Sequence, residues 1–238
     1  RRDTVSRALL YVFFLSGATS LAYQTLWARQ LHLLFGTSQL AVCSVLAAFM
    51  SGLAVGGFFG SRIADRISSP IALYAVLEVA IALYGLLFPY LLEGIQPLYL
   101  RSWEWTGADP VLFGTVQLIL GVLLLLLPTA CMGATLPLLA RFVTGRFTRH
   151  STRAGLLYGF NTAGAVVGTA ATGLVLIPSL GVRATELFAA GANVLIALGV
   201  LAWSARLASG RGMGSLQVQD DRAERREEDA LLDFPADP

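Results

Sequence analysis

Apolar residues in this chain come in long, nearly unbroken runs. Six such stretches fill residues 8–206, and short arginine-bearing segments separate them. A helix needs about 20 apolar residues to cross the hydrocarbon core of a bilayer, whereas a soluble domain spreads charge along its elements. The pattern predicts an all-α, polytopic membrane protein with six transmembrane helices. The expected spans are residues 8–27 (with apolar character continuing to Phe35), 39–60, 71–92, 111–143, 154–177 and 184–203. Arg7 precedes the first run as in a signal peptide, but the run is too long and flows into a second span. Gly36, Thr37 and Ser38 mark the break between them. The fourth stretch exceeds one straight crossing and predicts a kink at Pro128. Residues 93–110 read as an outer loop, with Tyr99, Trp103 and Trp105 as interfacial aromatics.

Arginine placement orients the spans. Arg1, Arg2 and Arg7 precede the first; Arg62 and Arg66 follow the second; Arg141, Arg146, Arg149 and Arg153 lie between the fourth and fifth; Arg206 and Arg211 follow the sixth. The alternate loops hold only Arg29, Arg101 and Arg183. The positive-inside rule then puts both termini in the cytoplasm, and a bacterial inner membrane is the expected location. Residues 1–7 form a cytoplasmic N-terminus, 8–206 the membrane domain, and 207–238 a polar cytoplasmic tail expected to be disordered. A chain that opens on Arg1 is expected to be a fragment or a processed form.

Composition agrees. Hydrophobic residues make up 55% and charged residues 13%, and mean hydropathy is +0.67. A net charge of +2 is too small to imply nucleic acid, and lysine is absent. Cys43 and Cys131 fall in separate spans, too far apart to bridge, and read as small apolar packers. No metal-ligand spacing occurs, and no cofactor is expected.

Small residues predict close packing. Ala48, Gly52, Gly56 and Gly60 recur every four residues on the second span, and Gly155, Gly159, Gly164 and Gly168 form two such pairs on the fifth. Such faces let another backbone approach closely. The fifth span is the expected partner of Gly52 and Gly56. A weak internal echo accompanies them. Gly17-Ala18-Thr19 followed by the Phe49-led stripe parallels Gly133-Ala134-Thr135 followed by the Phe160-led stripe. Three spans separate the halves, the arrangement of an inverted three-plus-three repeat.

Glu78 is the principal candidate site residue, because a carboxyl in mid-span is costly unless paired, hydrated or neutral. Tyr74, one turn away, is placed to donate a hydrogen bond to it. Tyr23, Gln24 and Trp27 end the first span, as an interfacial belt or as a cavity wall. Asn161 is a further candidate polar site, while Gln117 and Asn193 read as interhelical glue. His32 and His150 lie in or near loops and are expected to be solvated.

Two blocks carry a family likeness. One comprises Ser16-Gly17-Ala18, Tyr23-Gln24, Trp27, Phe35-Gly36, Val45 to Met50, Gly52-Leu53-Ala54 and Arg62-Ile63-Ala64-Asp65-Arg66. The other comprises Met132 to Leu138, Leu157 to Ala165 and Ile177 to Gly181. Together they resemble the membrane part of bacterial fused major-facilitator/spermidine-synthase-like proteins, over about residues 8–206. The Asp65-Arg66 turn also resembles the cytoplasmic loop after the second helix of major facilitator transporters. Ser61 stands where their glycine often is, and the downstream basic residues are missing. The resemblance implies a major-facilitator-half-like fold and a partner aminopropyltransferase, as a following domain or a separate subunit. The tail has no strand and no nucleotide-binding turn, so no catalytic residue carries over.

Three functions follow as expectations. The first is a membrane domain that anchors a polyamine synthase-like enzyme or moves its substrate or product. The second is a half-size small-molecule transporter working as a homodimer. The third is a structural or assembly membrane protein. No nucleophile, metal cluster or acid/base pair marks the chain itself as an enzyme.

Overall fold

The computed structural model describes the backbone of residues 2–107, 109–144 and 151–232, and the side chains of residues 10–107, 109–142 and 155–206. Every described element is helical: α1 (Arg2–Phe35), α2 (Gln39–Arg66), α3 (Pro70–Trp105), α4 (Pro110–Thr144), α5 (Ser151–Ala171), a π-helical turn (Thr172–Leu176) and α6 (Ile177–Leu232). Inside α6, Gly181 breaks the helical backbone at φ 78°, in the left-handed region that favours glycine. Four segments are long and apolar enough to cross a membrane: Gln39–Arg66, Pro70–Trp105, Pro110–Phe142 and Gly155–Arg206. They suit a lipid bilayer. The chain divides into two compact units, Arg1–Leu198 and Gly199–Pro238. The helix bundle described below belongs to the first.

Local chemistry sets the helix starts. The Ser38 hydroxyl accepts from the Ala41 amide at 3.2 Å at the head of α2. The Asp109 carboxylate accepts from Val111 and Leu112 at 2.8 and 2.9 Å at the head of α4, where Pro110 takes the first helical position. Both occupy amides that a helix N-terminus leaves unpaired.

α1 is the enclosed helix. Of residues 10–35, only Tyr11, Leu15, Arg29 and Leu33 are exposed. Ser16, Thr19, Ser20, Gln24, Thr25 and Gln30 dilute its apolar character, which is tolerable in a helix that faces other helices more than lipid. The core forms around it, with Tyr23, Leu26, Trp27, Leu31 and Phe88 all fully buried. Trp27 stacks on Phe88 at 5.1 Å and meets Tyr23 at 5.0 Å between ring centroids. Large apolar residues such as Phe58, Val76, Leu83 and Leu123 point outward, as lipid contact allows.

Two close helix pairs carry the bundle: α2 on α4 and α1 on α5. A methyl carbon on Gly56 would overlap the Ala130 carbonyl, one on Gly60 would lie 2.7 Å from Ala134 Cα, and one on Gly133 would overlap the Leu53 carbonyl. In the other pair, a methyl on Gly164 would overlap the Phe14 carbonyl, one on Gly168 would lie 2.6 Å from Ala18 Cα, and one on Gly17 would overlap the Asn161 carbonyl. Phe14, Gly17 and Ala18 have the spacing of Ala130, Gly133 and Ala134. Asn161, Gly164 and Gly168 have the spacing of Leu53, Gly56 and Gly60. The same three backbone contacts therefore occur twice, in one register. Contacts advance together along both members of each pair, so each pair is parallel. The pairs oppose each other, because the end of α1 meets the start of α4: Gln117 Nε2 donates to the Phe35 carbonyl at 2.9 Å.

Several expectations are corrected. The partner of Gly52 and Gly56 is α4, through Thr129 and Ala130, and not the fifth span; α4 offers its own small-residue face there. Gly155 and Gly159 have open space around them. The stripes register Gly56 with Gly164, about one turn away from aligning Phe49 with Phe160. Residues 93–105 are helix, not loop. The added turns carry Tyr99, which is 6% exposed and no interfacial aromatic; its hydroxyl donates to the Phe35 carbonyl at 3.2 Å. With Gln117 it satisfies a carbonyl that the end of α1 leaves unpaired. Trp103 and Trp105 are exposed. The π-helical turn lies inside the fifth stretch, and the backbone break at Gly181 falls between the expected fifth and sixth spans. Beyond residue 206 the backbone is helical as far as Leu232.

α4 runs unbroken through Pro128 and Pro137. Proline at 128 cannot donate to the Leu124 carbonyl four residues back. Tyr84 of α3 replaces that bond, its hydroxyl reaching the Leu124 oxygen at 2.7 Å. The proline thus ties α3 to α4.

Two predictions follow from packing. Gly56→Leu forces a side chain into the Ala130 backbone and should destabilise the fold by at least about 1–3 kcal/mol, while Gly159→Leu should be neutral; thermal unfolding in detergent distinguishes them. Tyr84→Phe should cost about 1 kcal/mol in the native chain but little beside Pro128→Ala, where the helix supplies its own donor. Equal costs in both backgrounds would deny the proline–tyrosine link.

Candidate functional site

Polar chemistry inside the bundle gathers in three places. The first is an open cleft of about 550 Å³ between α1, α2, α4 and α5. Gly17, Gly57 and Gly133 are in its wall, so the close helix pairs also shape it. Its polar lining is Ser20, Thr135, Tyr158 and Asn161, and among the described residues no Asp, Glu, Arg or His lines it. Asn161 thus combines two roles: its carbonyl lies against Gly17, and the residue lines the cleft.

The second place is Glu78, 1% exposed on α3. Ser16 Oγ of α1 donates to its Oε1 at 2.8 Å. Tyr74, the expected donor, is fully buried and its hydroxyl lies beside Ser16 and Glu78, without closing a hydrogen bond of regular geometry. Tyr23 is packed against Gly85, where even a methyl group would strike its ring. The Tyr23 hydroxyl is buried, has no hydrogen-bond partner, and lies within electrostatic reach of both Glu78 and Glu186.

The third place is Glu186, fully buried on α6. Arg183 pairs with its Oε2 at 3.3 Å, and Gln30 of α1 donates to its Oε1 at 3.3 Å. Arg183 also donates to the Tyr90 hydroxyl at 3.2 Å. Sequence reading passed over this cluster. A signal was present: a carboxyl just inside the last apolar stretch, with an arginine three residues earlier on the same helix face. Nothing in a single sequence brings Gln30 or Tyr90 to it.

The sequence candidates are therefore not one site. Glu78, Tyr74 and Tyr23 are neighbours in the α1–α3 interior, and Asn161 belongs to the open cleft. Gln24 lines a separate pocket of about 150 Å³ with Trp27, His32 and Phe49. Trp27 is fully buried, so neither it nor Tyr23 forms an interfacial belt. His32 Nε2 is buried without a partner, contrary to a solvated histidine, and so is Asn193 Oδ1. His150 lies outside the described residues. Asp65 pairs with Arg141 at 3.2 Å, joining α2 to α4, while Arg66 is exposed at the end of α2. Both cysteines are free.

Comparison with family models, with curated proteins and with solved structures finds no match to this chain. The site's own chemistry is what speaks to function.

Arg183→Gln would leave Glu186 buried without its counter-charge. Breaking a fully buried pair costs about 3–5 kcal/mol, and because Arg183 is half exposed the expected loss is about 2 kcal/mol. Arg183→Gln with Glu186→Gln should recover most of it. Denaturation of the four variants as a double-mutant cycle measures the coupling; a coupling near zero would contradict the pairing.

Proposed function

We propose that this chain is a transport-type membrane domain. Six spans form two inverted three-helix halves of major-facilitator-half type, with both termini on the cytoplasmic face of a bacterial inner membrane. The observation that carries the reading is the double occurrence of one packing unit. Gly17, Gly164 and Gly168 make in one parallel helix pair the contacts that Gly133, Gly56 and Gly60 make in the other, and the two pairs run in opposite directions. Inverted repeats of this kind build solute pathways at the interface of their halves, and the 550 Å³ cleft lies between the two pairs. The break at Gly181 supplies the division between a fifth and a sixth span.

The resemblance to fused spermidine-synthase-like proteins adds a role: to serve an aminopropyltransferase-like partner, by anchoring it or by conveying its substrate or product. The cleft refines that role. A polyamine is a multiple cation and calls for carboxylates, whereas the described residues of the cleft offer hydroxyls and an amide. An uncharged solute with hydrogen-bonding groups suits it better. The cleft is open to one side and both helix pairs contribute walls to it, which favours as second reading a half-size transporter completed by a second copy of the chain.

Uptake into vesicles containing the full chain tests the proposal, with labelled putrescine, spermidine and small uncharged nucleosides as solutes. The expected outcome is uptake of an uncharged solute above that of empty vesicles, slowed roughly tenfold by Asn161→Ala, the loss of about one good hydrogen bond. Folded protein that moves none of them would remove transport and leave the anchoring role.

A further inference from the structure

We infer that Glu78 is a proton-binding site in the membrane interior, and that the Tyr74 hydroxyl beside it is a donor for its ionised form. Glu78 is 1% exposed, and its one hydrogen bond of regular geometry comes from Ser16. Among the described residues no arginine or histidine pairs with it; Arg183, the cation of this interior, pairs with Glu186. A carboxylate in such surroundings needs a positive partner. A metal ion would require several ligands, and no group of three His, Cys, Asp or Glu side chains exists among the described residues. An organic cation would require space beside the carboxyl, and Glu78, 1% exposed, is packed against Ser16 and Tyr74. A proton requires neither.

The second observation is independent of the carboxyl. Tyr74 is fully buried, and its hydroxyl, beside Ser16 and Glu78, closes no hydrogen bond of regular geometry. Buried donors are rarely left unmade. A protonated carboxyl keeps one oxygen occupied by its own hydrogen, whereas an ionised one accepts several bonds. Ser16 serves the neutral form; Tyr74 has a use once the charge appears. The groups beside Glu78 are thus Ser16 from α1 and Tyr74 from its own helix, while Tyr23 lies further along α1, against Gly85. Arg183 offsets the charge of Glu186, so Glu78 is the group free to change. In the step itself the Glu78 O–H bond breaks, its electron pair stays on the carboxylate, and the proton is taken by hydroxide of the alkaline medium, which becomes water.

Infrared spectroscopy of the full chain in lipid vesicles reads this directly. The wild type should show the carbonyl stretch of a protonated carboxylic acid. That band should vanish in Glu78→Gln and persist in Glu186→Gln. An alkaline jump should bleach it in the wild type, and the extent of bleaching should fall about tenfold in Tyr74→Phe, the loss of a hydrogen bond to a charge. A purely structural tyrosine would leave the bleaching unchanged. The inference is overturned by a wild type without the band, by a band that survives Glu78→Gln, or by Tyr74→Phe bleaching like the wild type. A wild type without the band overturns it even if a variant fails to fold.

Discussion

Backbone lying directly on backbone is the constraint on which the rest of this fold depends. In lipid there is little hydrophobic gain from bringing helices together, so association rests on close van der Waals contact and interhelical hydrogen bonds. Here six glycines provide the contact, three in each of two helix pairs. No other residue leaves room for a carbonyl of the neighbouring helix at those positions. Once the pairs are set, the other features have their places. The cleft lies between them, Asp65 meets Arg141 along one pair, and α3 closes on α4 through the carbonyl that Pro128 releases.

Close packing also explains where polarity is tolerated. α1 is wrapped by other helices, so its serines, threonines and glutamines face protein. Hydrogen bonds there tie distant segments: Ser16 to Glu78, Gln30 to Glu186, and Gln117 with Tyr99 to the end of α1. The two buried carboxyls are treated differently. Glu186 has an arginine and an amide, while Glu78 has the Ser16 hydroxyl, with that of Tyr74 beside it, and no cation among the described residues.

Much of the architecture was legible in the sequence, because lipid imposes long apolar runs and small-residue stripes. Glu78, Gly52, Gly56, Gly60, Gly164 and Gly168 all stand out by residue type and spacing. What pairs with what was not legible. A glycine stripe announces a close neighbour without naming it, and α4 and α5 both present small faces. Helix ends misled for a related reason. Residues 93–105 look like a loop because polar and aromatic residues replace aliphatic ones, yet Tyr99 and Ser102 are buried against other helices. Glu186 was missed because an acid near the start of an apolar run reads as the edge of a loop, and its partners lie far away in sequence.

The central claim is that one packing unit is used twice, in opposite directions across the membrane. Sidedness is its most direct test. Single cysteines at Thr37, Ser68, Thr106 and Ser179, in a chain with Cys43 and Cys131 replaced by serine, can be labelled in intact cells with a membrane-impermeant thiol reagent. The account predicts labelling at positions 37, 106 and 179 from outside, and at 68 only after the membrane is opened. Labelling of 37 and 106 from opposite sides would mean that α1 and α4 do not cross in opposite directions, and the inverted arrangement would fall.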